Sequence, residues 1–147
     1  MTLHLIKLCV GADTVEDLAA WIDFRRDEAL ARSQKPEQKH TTRMIPKRAD
    51  EILSGGSLYW VIKGVVQVRQ RVIAIRPFTD AQGIKRCDLV LDPGLVRTAG
   101  QPRRPFQGWR YLKPEDAPRD LPAGAIGADD DEMPAKMRRE LAELALL

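Results

Sequence analysis

The chain has 147 residues, of which 44% are hydrophobic and 31% are charged, and its net charge is +3. This length suffices for one domain with its own hydrophobic core, without metal or disulfide staples. No apolar run approaches the roughly 18 residues that a membrane span needs. The N-terminal segment MTLHLIKLC carries a lysine within its apolar run and has no signal-cleavage pattern. We therefore expect a soluble, cytoplasmic protein.

The charge is unevenly distributed along the chain. Residues 35–113 carry 16 Lys and Arg against 6 Asp and Glu, whereas the rest of the chain carries 8 against 15. Arginine outnumbers lysine 16 to 8, and its planar guanidinium suits phosphate groups and stacks on rings. This pattern favours an anionic partner. The alternative is that the basic strands pair with the acidic N-terminal helix and C-terminal tail of the same chain.

The N-terminal third predicts one strand and one helix. Residues 3–9 have the length and composition of a strand. A helix is expected to begin at the N-cap Thr14 and to continue to about Ser33, with Trp21 on its core face. Residues 33–42 are polar and lack periodicity, so they predict a loop.

The middle of the chain predicts a bent sheet. A short helix is expected between Pro46 and the Gly55–Gly56 pair. From Leu58 the hydrophobic period becomes two, which predicts strands over residues 58–63, 65–78 and 84–92. Within the second strand the apolar face switches near residues 69–71, so we expect a β-bulge there, with Ile73 directed into the core.

The C-terminal third contains many prolines, followed by an acidic run. From Pro134 an amphipathic helix is predicted, with Met137, Leu141 and Leu144 on its apolar face. Residues 1–127 are therefore expected to form a single α+β domain, and 128–147 an acidic linker and C-terminal helix. The predicted fold is a small, mostly antiparallel bent sheet or pseudobarrel, with its barrel-like part at about 42–112.

The segment RRPFQGWRYLKPEDAP, residues 103–118, combines cations with aromatic rings. Single-stranded nucleic acid is held by cations along its phosphates and by rings under its bases, with stacking worth about 1 to 3 kcal/mol per base. Alternatively, Phe106, Trp109 and Tyr111 cover the end of the barrel while the arginines stack on them from outside. The predicted nucleic-acid-binding residues are Arg43, Lys47, Arg48, Arg69, Arg71, Arg103, Arg104, Trp109, Arg110, Tyr111 and Lys113.

Two resemblances bear on this prediction. The segments TTRMIPKRADEILSGGSLYWVIKGVVQVRQRVIAIRPF and PRRPFQGWRYLKPEDAP resemble, as does nearly the whole chain, a bacterial family known only as a conserved domain of unknown function. More distantly, residues 42–112 are similar in pattern to the pseudobarrels of the PUA-like superfamily, which includes the PUA, ASCH and EVE domains. This second resemblance implies binding of RNA or of a modified base, and it supplies no catalytic residue.

Motifs for catalysis are lacking in the sequence. The two histidines, His4 and His40, have no partners at zinc-ligand spacing, and there is no phosphate-binding glycine loop. We therefore predict no catalytic residue, metal or cofactor. The predicted function is RNA binding, with a modified or flipped nucleotide as a specific form. One alternative is a protein-interaction module whose C-terminal helix forms a homodimer and whose basic face meets an acidic protein. A third, less favoured, is an enzyme acting on a nucleotide-like substrate.

Overall fold

The computed structural model describes residues 2–126, which form an α+β fold made mostly of sheet. Its elements are β1 (His4–Leu8), α1 (Val15–Ala31), β2 (Gln38–Thr42), α2 (Ala49–Leu53), β3 (Ser57–Ile62), β4 (Val65–Thr79), β5 (Lys85–Leu91), β6 (Leu95–Pro102), β7 (Trp109–Leu112), a 3-10 turn (Pro114–Asp116) and β8 (Asp120–Ile126). The α+β prediction is confirmed. The predicted acidic linker and C-terminal helix lie outside the described residues.

The eight strands form one open sheet. Six of them follow the order β2-β5-β4-β3-β1-β7, and β6 pairs with both β4 and β8. Neighbouring strands are antiparallel, except that β1 and β3 are parallel. Because β2 and β7 do not pair with each other, the described part of the chain is a bent open sheet and does not close into a barrel.

Strand β4 carries the bend of the sheet. Its first half pairs with β3 and β6, and its second half pairs with β5. The register with β5 shifts between Val72 and Ala74, which confirms a bulge close to the predicted position. Ile73 lies at this shift and is 53% exposed, so the prediction that it enters the core is wrong. The bulge turns that residue out of the alternation that the sequence pattern assumed.

Helix α1 packs on the sheet through a narrow strip. The side chain of Thr14 accepts a hydrogen bond from the backbone N–H of Asp17, as its predicted N-cap role requires. The buried residues of the helix are Val15, Leu18 and Ile22. Trp21 lies beside this strip and is 50% exposed, so its predicted place in the core is wrong.

The segment predicted as a polar loop, residues 33–42, contains strand β2. Residues Gln38–Thr42 pair with β5 at the edge of the sheet. Gln38 and Thr42 are buried and His40 is half-buried, while the residues between them are exposed. Burial therefore alternates along β2, as expected for a strand. Because the residues on its buried side are polar, the hydrophobicity pattern did not predict the strand.

Candidate nucleic-acid interface and an adjacent cleft

Two basic segments that are distant in sequence meet at strand β7. The hydroxyl of Tyr111 accepts hydrogen bonds from the backbone N–H groups of Lys47 and Arg48, at 3.0 and 3.2 Å. The indole Nε1 of Trp109 donates a 2.7 Å bond to the carbonyl of Met44, 65 residues away. Residues 43–48 are thus fastened to the strand that carries Arg110.

We call the exposed group formed by Arg43, Lys47, Arg48 and Tyr111 the Tyr111 surface. Arg110, the neighbour of Tyr111 in β7, projects to the opposite face of the strand, where it lies over Phe106. The Arg48 guanidinium lies 5.7 Å from the centroid of the Tyr111 ring and also donates to Glu51 at 2.8 Å. That hydrogen bond holds the pKa of Glu51 below its usual range. Part of the Arg48 charge is therefore compensated, and Arg43, Lys47 and Arg110 form no ion pair with any described residue.

The three rings of the 103–118 segment have different surroundings. Trp109 is only 5% exposed and belongs to the main core cluster. Phe106 is half-buried under the Arg110 guanidinium, which lies 4.9 Å from the centroid of its ring. Tyr111 is 37% exposed. The packing of Trp109 favours the structural alternative for that ring, and Tyr111 is the ring that the segment leaves open to solvent.

The other predicted binding residues lie outside the Tyr111 surface, and two of them are engaged by neighbouring side chains. Arg69 donates two 2.8 Å hydrogen bonds to the carboxylate of Asp120, which lowers the pKa of that carboxyl. Arg103 donates to the side chain of Gln101. The remaining three are exposed and make no ion pair within residues 2–126; they are Arg71, Arg104 and Lys113. The structure therefore unites residues 43–48 with 109–111, while Arg69 is engaged by an acid.

A cleft of about 690 Å³ lies between α1, the end of β1, strand β2 and Trp60 of β3. None of the predicted binding residues lines it. Its walls carry the rings of Trp21, Phe24, His40 and Trp60. The cationic side chains that line it are Lys7, Arg25 and Lys39.

His40 is a half-buried polar residue in the lining of this cleft. Its Nε2 atom is buried and has no hydrogen-bond partner among the described residues. The imidazole meets Trp60 edge-on, with centroids 5.4 Å apart and planes at 89°. Burial lowers the pKa of His40 to about 4, and the positive charges of Lys7 and Arg25 act in the same direction. The ring is therefore neutral at pH 7.

The walls of the cleft are held by hydrogen bonds. Trp60 donates through Nε1 to the side chain of Gln70 at 2.8 Å, and Gln70 in turn donates to the Asp92 carbonyl at 3.0 Å. Gln38 of β2 donates to the Ile22 carbonyl of α1 at 3.1 Å. Together with the half-buried position of His40, these bonds give the inner wall a fixed shape.

The outer wall is a pair of stacked rings on α1. Trp21 and Phe24 have centroids 5.7 Å apart and planes at 17°. The Arg25 guanidinium lies 4.9 Å from the Trp21 centroid and donates to the Lys39 carbonyl at 3.0 Å. These exposed rings, with their i, i+3 spacing beside the core strip of α1, were the sequence signal that could have revealed the cleft.

The Cys9 thiol is a further group in the lining of the cleft. Burial raises its pKa to about 11, so this thiol is protonated at neutral pH. Within residues 2–126, no group of three or more His, Cys, Asp or Glu side chains is placed to hold a metal ion. No helix in the same range is long and apolar enough to cross a membrane.

Comparison with known proteins adds one finding. A family model described as "Protein of unknown function (DUF1489)" matches residues 5–147, so the chain belongs to this family. Neither the curated proteins nor the solved structures give a match. The predicted membership of a family of unknown function is confirmed, and the similarity to PUA-like domains stays a prediction.

Proposed function

We propose that this member of the DUF1489 family binds single-stranded RNA, in the cytoplasm, through the Tyr111 surface. The observation that supports the proposal is the joining of two basic segments by the hydrogen bonds of Tyr111 and Trp109. Each segment alone is a short run of cations. Together, these hydrogen bonds fasten the segment that carries Arg43, Lys47 and Arg48 to one partly exposed ring.

This combination suits a single strand for two physical reasons. The uncompensated charges of Arg43 and Lys47 attract phosphates and release condensed counterions. The Arg48 guanidinium lies over the partly exposed Tyr111 ring, 5.7 Å from its centroid. A base can stack on the exposed part of the ring or on the guanidinium plane. The backbone contacts to Tyr111 fix the ring relative to the cations, so little ordering is required when RNA binds.

The function is tested by fluorescence anisotropy with a labelled single-stranded RNA of about a dozen nucleotides, a length within the site sizes of such surfaces. We expect binding that weakens steeply between roughly 50 and 200 mM salt. Lys47→Gln should lower the slope of log affinity against log salt by about one, because one phosphate contact is lost. Lys85→Gln is the matched control, since Lys85 is exposed and belongs to β5, which contributes no residue to the Tyr111 surface.

Two results would contradict the proposal. One is no measurable binding of RNA by the unchanged protein at low salt. The other is an equal response of the Lys47 and Lys85 variants. If polyglutamate competes with RNA as an equal ligand, the protein-interaction alternative, in which the same face meets an acidic protein, is supported instead.

A further inference from the structure

We infer that the cleft between α1 and β2 is a binding site for an uncharged, planar heteroaromatic ring of the nucleobase class. The inference does not depend on RNA binding by the Tyr111 surface. It rests on the size of the cleft, on the rings in its walls and on the unpartnered atom of His40.

The size and the lining of the cleft fit a small planar compound. Its volume of about 690 Å³ lies within the roughly 300 to 1,000 Å³ of typical ligand sites. Trp60 and the Trp21–Phe24 pair supply ring surface on its inner and outer walls. Aromatic walls of this kind bind flat ligands by stacking and edge contacts.

His40 indicates which chemistry the ligand carries. Buried polar side-chain atoms in folded proteins almost always have a hydrogen-bond partner, whereas Nε2 of His40 has none among the described residues. A neutral imidazole presents either an acceptor or a donor at Nε2. A heterocycle with ring nitrogens, amino groups or carbonyl groups offers the complementary partner without introducing a charge next to the ring.

The distribution of charge in the lining fits an uncharged ring that carries a polar or anionic substituent. The positive charges that act on His40 are those of Lys7 from β1 and Arg25 from α1, while Lys39 of β2 and the acidic Asp17 also line the cleft. The interior wall around His40 and Trp60 carries no charge. A sugar or phosphate attached to the ring would therefore lie toward the lysines.

Two sources can supply such a ring: a free nucleobase or nucleoside, or one unstacked nucleotide of an RNA strand. Both present the same heterocycle to His40. They differ in whether the Tyr111 surface takes part. Strand β2 leads from His40 directly to Arg43, so a strand held on that surface is within reach of the cleft.

The experiment uses saturation-transfer NMR on the full chain with adenosine, guanosine, cytidine and uridine as separate probes. Ribose 5-phosphate, which has no ring of this class, is the control ligand. We expect saturation on the base protons of at least one nucleoside and none on ribose 5-phosphate. Absence of transfer to all four nucleosides would overturn the inference.

Variants then locate the site. His40→Phe keeps an aromatic ring and removes Nε2, so it should weaken nucleoside binding at least tenfold while the melting temperature stays the same or rises. A purely structural His40 would not produce this combination. Trp21→Ala acts on a half-exposed ring, should leave the fold intact and should also weaken binding. Phe78→Ala, which removes an exposed aromatic ring outside the cleft lining, should leave nucleoside affinity unchanged.

The same variants distinguish the two sources. If Trp21→Ala weakens both nucleoside and RNA binding, the ring comes from a strand. If it weakens nucleoside binding alone, the ligand is a free compound. Unchanged nucleoside affinity in both His40→Phe and Trp21→Ala would refute the site. A lack of RNA binding by the unchanged protein contradicts the proposed function only, because the nucleoside titration is independent of it.

Discussion

Replacement of Trp109 by alanine separates a core role of this ring from a role in stacking on a base. The indole is 5% exposed and packs in the main core cluster. Large-to-small changes of buried aromatic residues cost about 3 to 5 kcal/mol, because transfer energy is lost and a cavity remains. For a domain of this length each kcal/mol corresponds to about 2 to 4 °C, so the melting temperature should fall by about 6 to 20 °C.

The change Trp109→Phe separates the contribution of the indole hydrogen bond from that of ring packing. It keeps a ring in the core but removes the Nε1 hydrogen bond to the Met44 carbonyl. A net loss of about 0.5 to 1.5 kcal/mol is expected from that bond, and the smaller ring adds a partial cavity. We therefore expect an intermediate destabilisation of about 1 to 3 kcal/mol. Because this bond fastens residues 43–48 to β7, the variant should also weaken RNA binding without a change in its salt slope.

The assay is urea denaturation followed by circular dichroism, together with thermal melts of the same proteins. Phe78→Ala is the control, because this ring is 39% exposed and its removal should cost less than about 1 kcal/mol. A fall of less than about 2 °C in Trp109→Ala, combined with a large loss of RNA affinity, would refute the packing argument. The ring would then be a stacking residue, as the sequence suggested.

Three further predictions concern stability. In the same urea assay, Ile73→Asp should change the free energy of unfolding by less than about 1 kcal/mol. Val72 is only 1% exposed, so Val72→Asp buries a carboxyl group without a partner and should cost several kcal/mol. Burial lowers the pKa of His40 from 6.5 to about 4. Between these two pH values the imidazole is protonated in the unfolded chain but neutral in the folded one, so the free energy of unfolding should decrease as the pH falls from about 6.5 to about 4. His40→Phe should lack this part of the pH dependence when unfolding is measured from pH 4 to 7. Gly56→Ala should cost at least about 3 kcal/mol, because its Cβ would collide with backbone carbonyl oxygens, while Gly83→Ala, which meets only open space at φ +78°, should cost about 1 kcal/mol in thermal melts.

The sequence predicts the parts of this fold that local chemistry determines. Thr14 caps α1 because its side chain reaches a backbone N–H three residues on. The alternation from Leu58 gives β3, but all six of its residues are buried, since a core cluster lies on each face of the strand. Alternation therefore located the strand without showing that both of its sides are covered.

The errors have tertiary causes. Trp21 fits the helical period of the apolar residues of α1, but only the neighbouring strip formed by Val15, Leu18 and Ile22 is buried. Strand β2 forms because the edge of β5 offers backbone hydrogen bonds, and its inward residues Gln38 and Thr42 are polar. Such strands are invisible to patterns built on apolar residues.

The candidate site was predictable only in part for a related reason. Charge and aromatic content identified residues 43–48, 69–71 and 103–113, but not which of their cations are neutralised by distant acids. The pairing of Arg69 with Asp120 spans 51 residues, and no local pattern contains it. The cleft was missed because its rings come from α1, β2 and β3, and because His40 reads as a loop residue until β2 is recognised.

The cleft and the Tyr111 surface share their supporting strands. In β1, Lys7 lines the cleft and is the register partner of Trp109 in β7. Arg43 lies three positions after His40, just beyond the end of β2, which is about 10 Å of extended chain. A nucleotide bound at the proposed site with its ring against His40 would have Arg43, the first cation of the Tyr111 surface, within reach of its attached groups. Because phosphate attraction and ring contact act on opposite ends of one nucleotide, salt should weaken the first and leave the second unchanged.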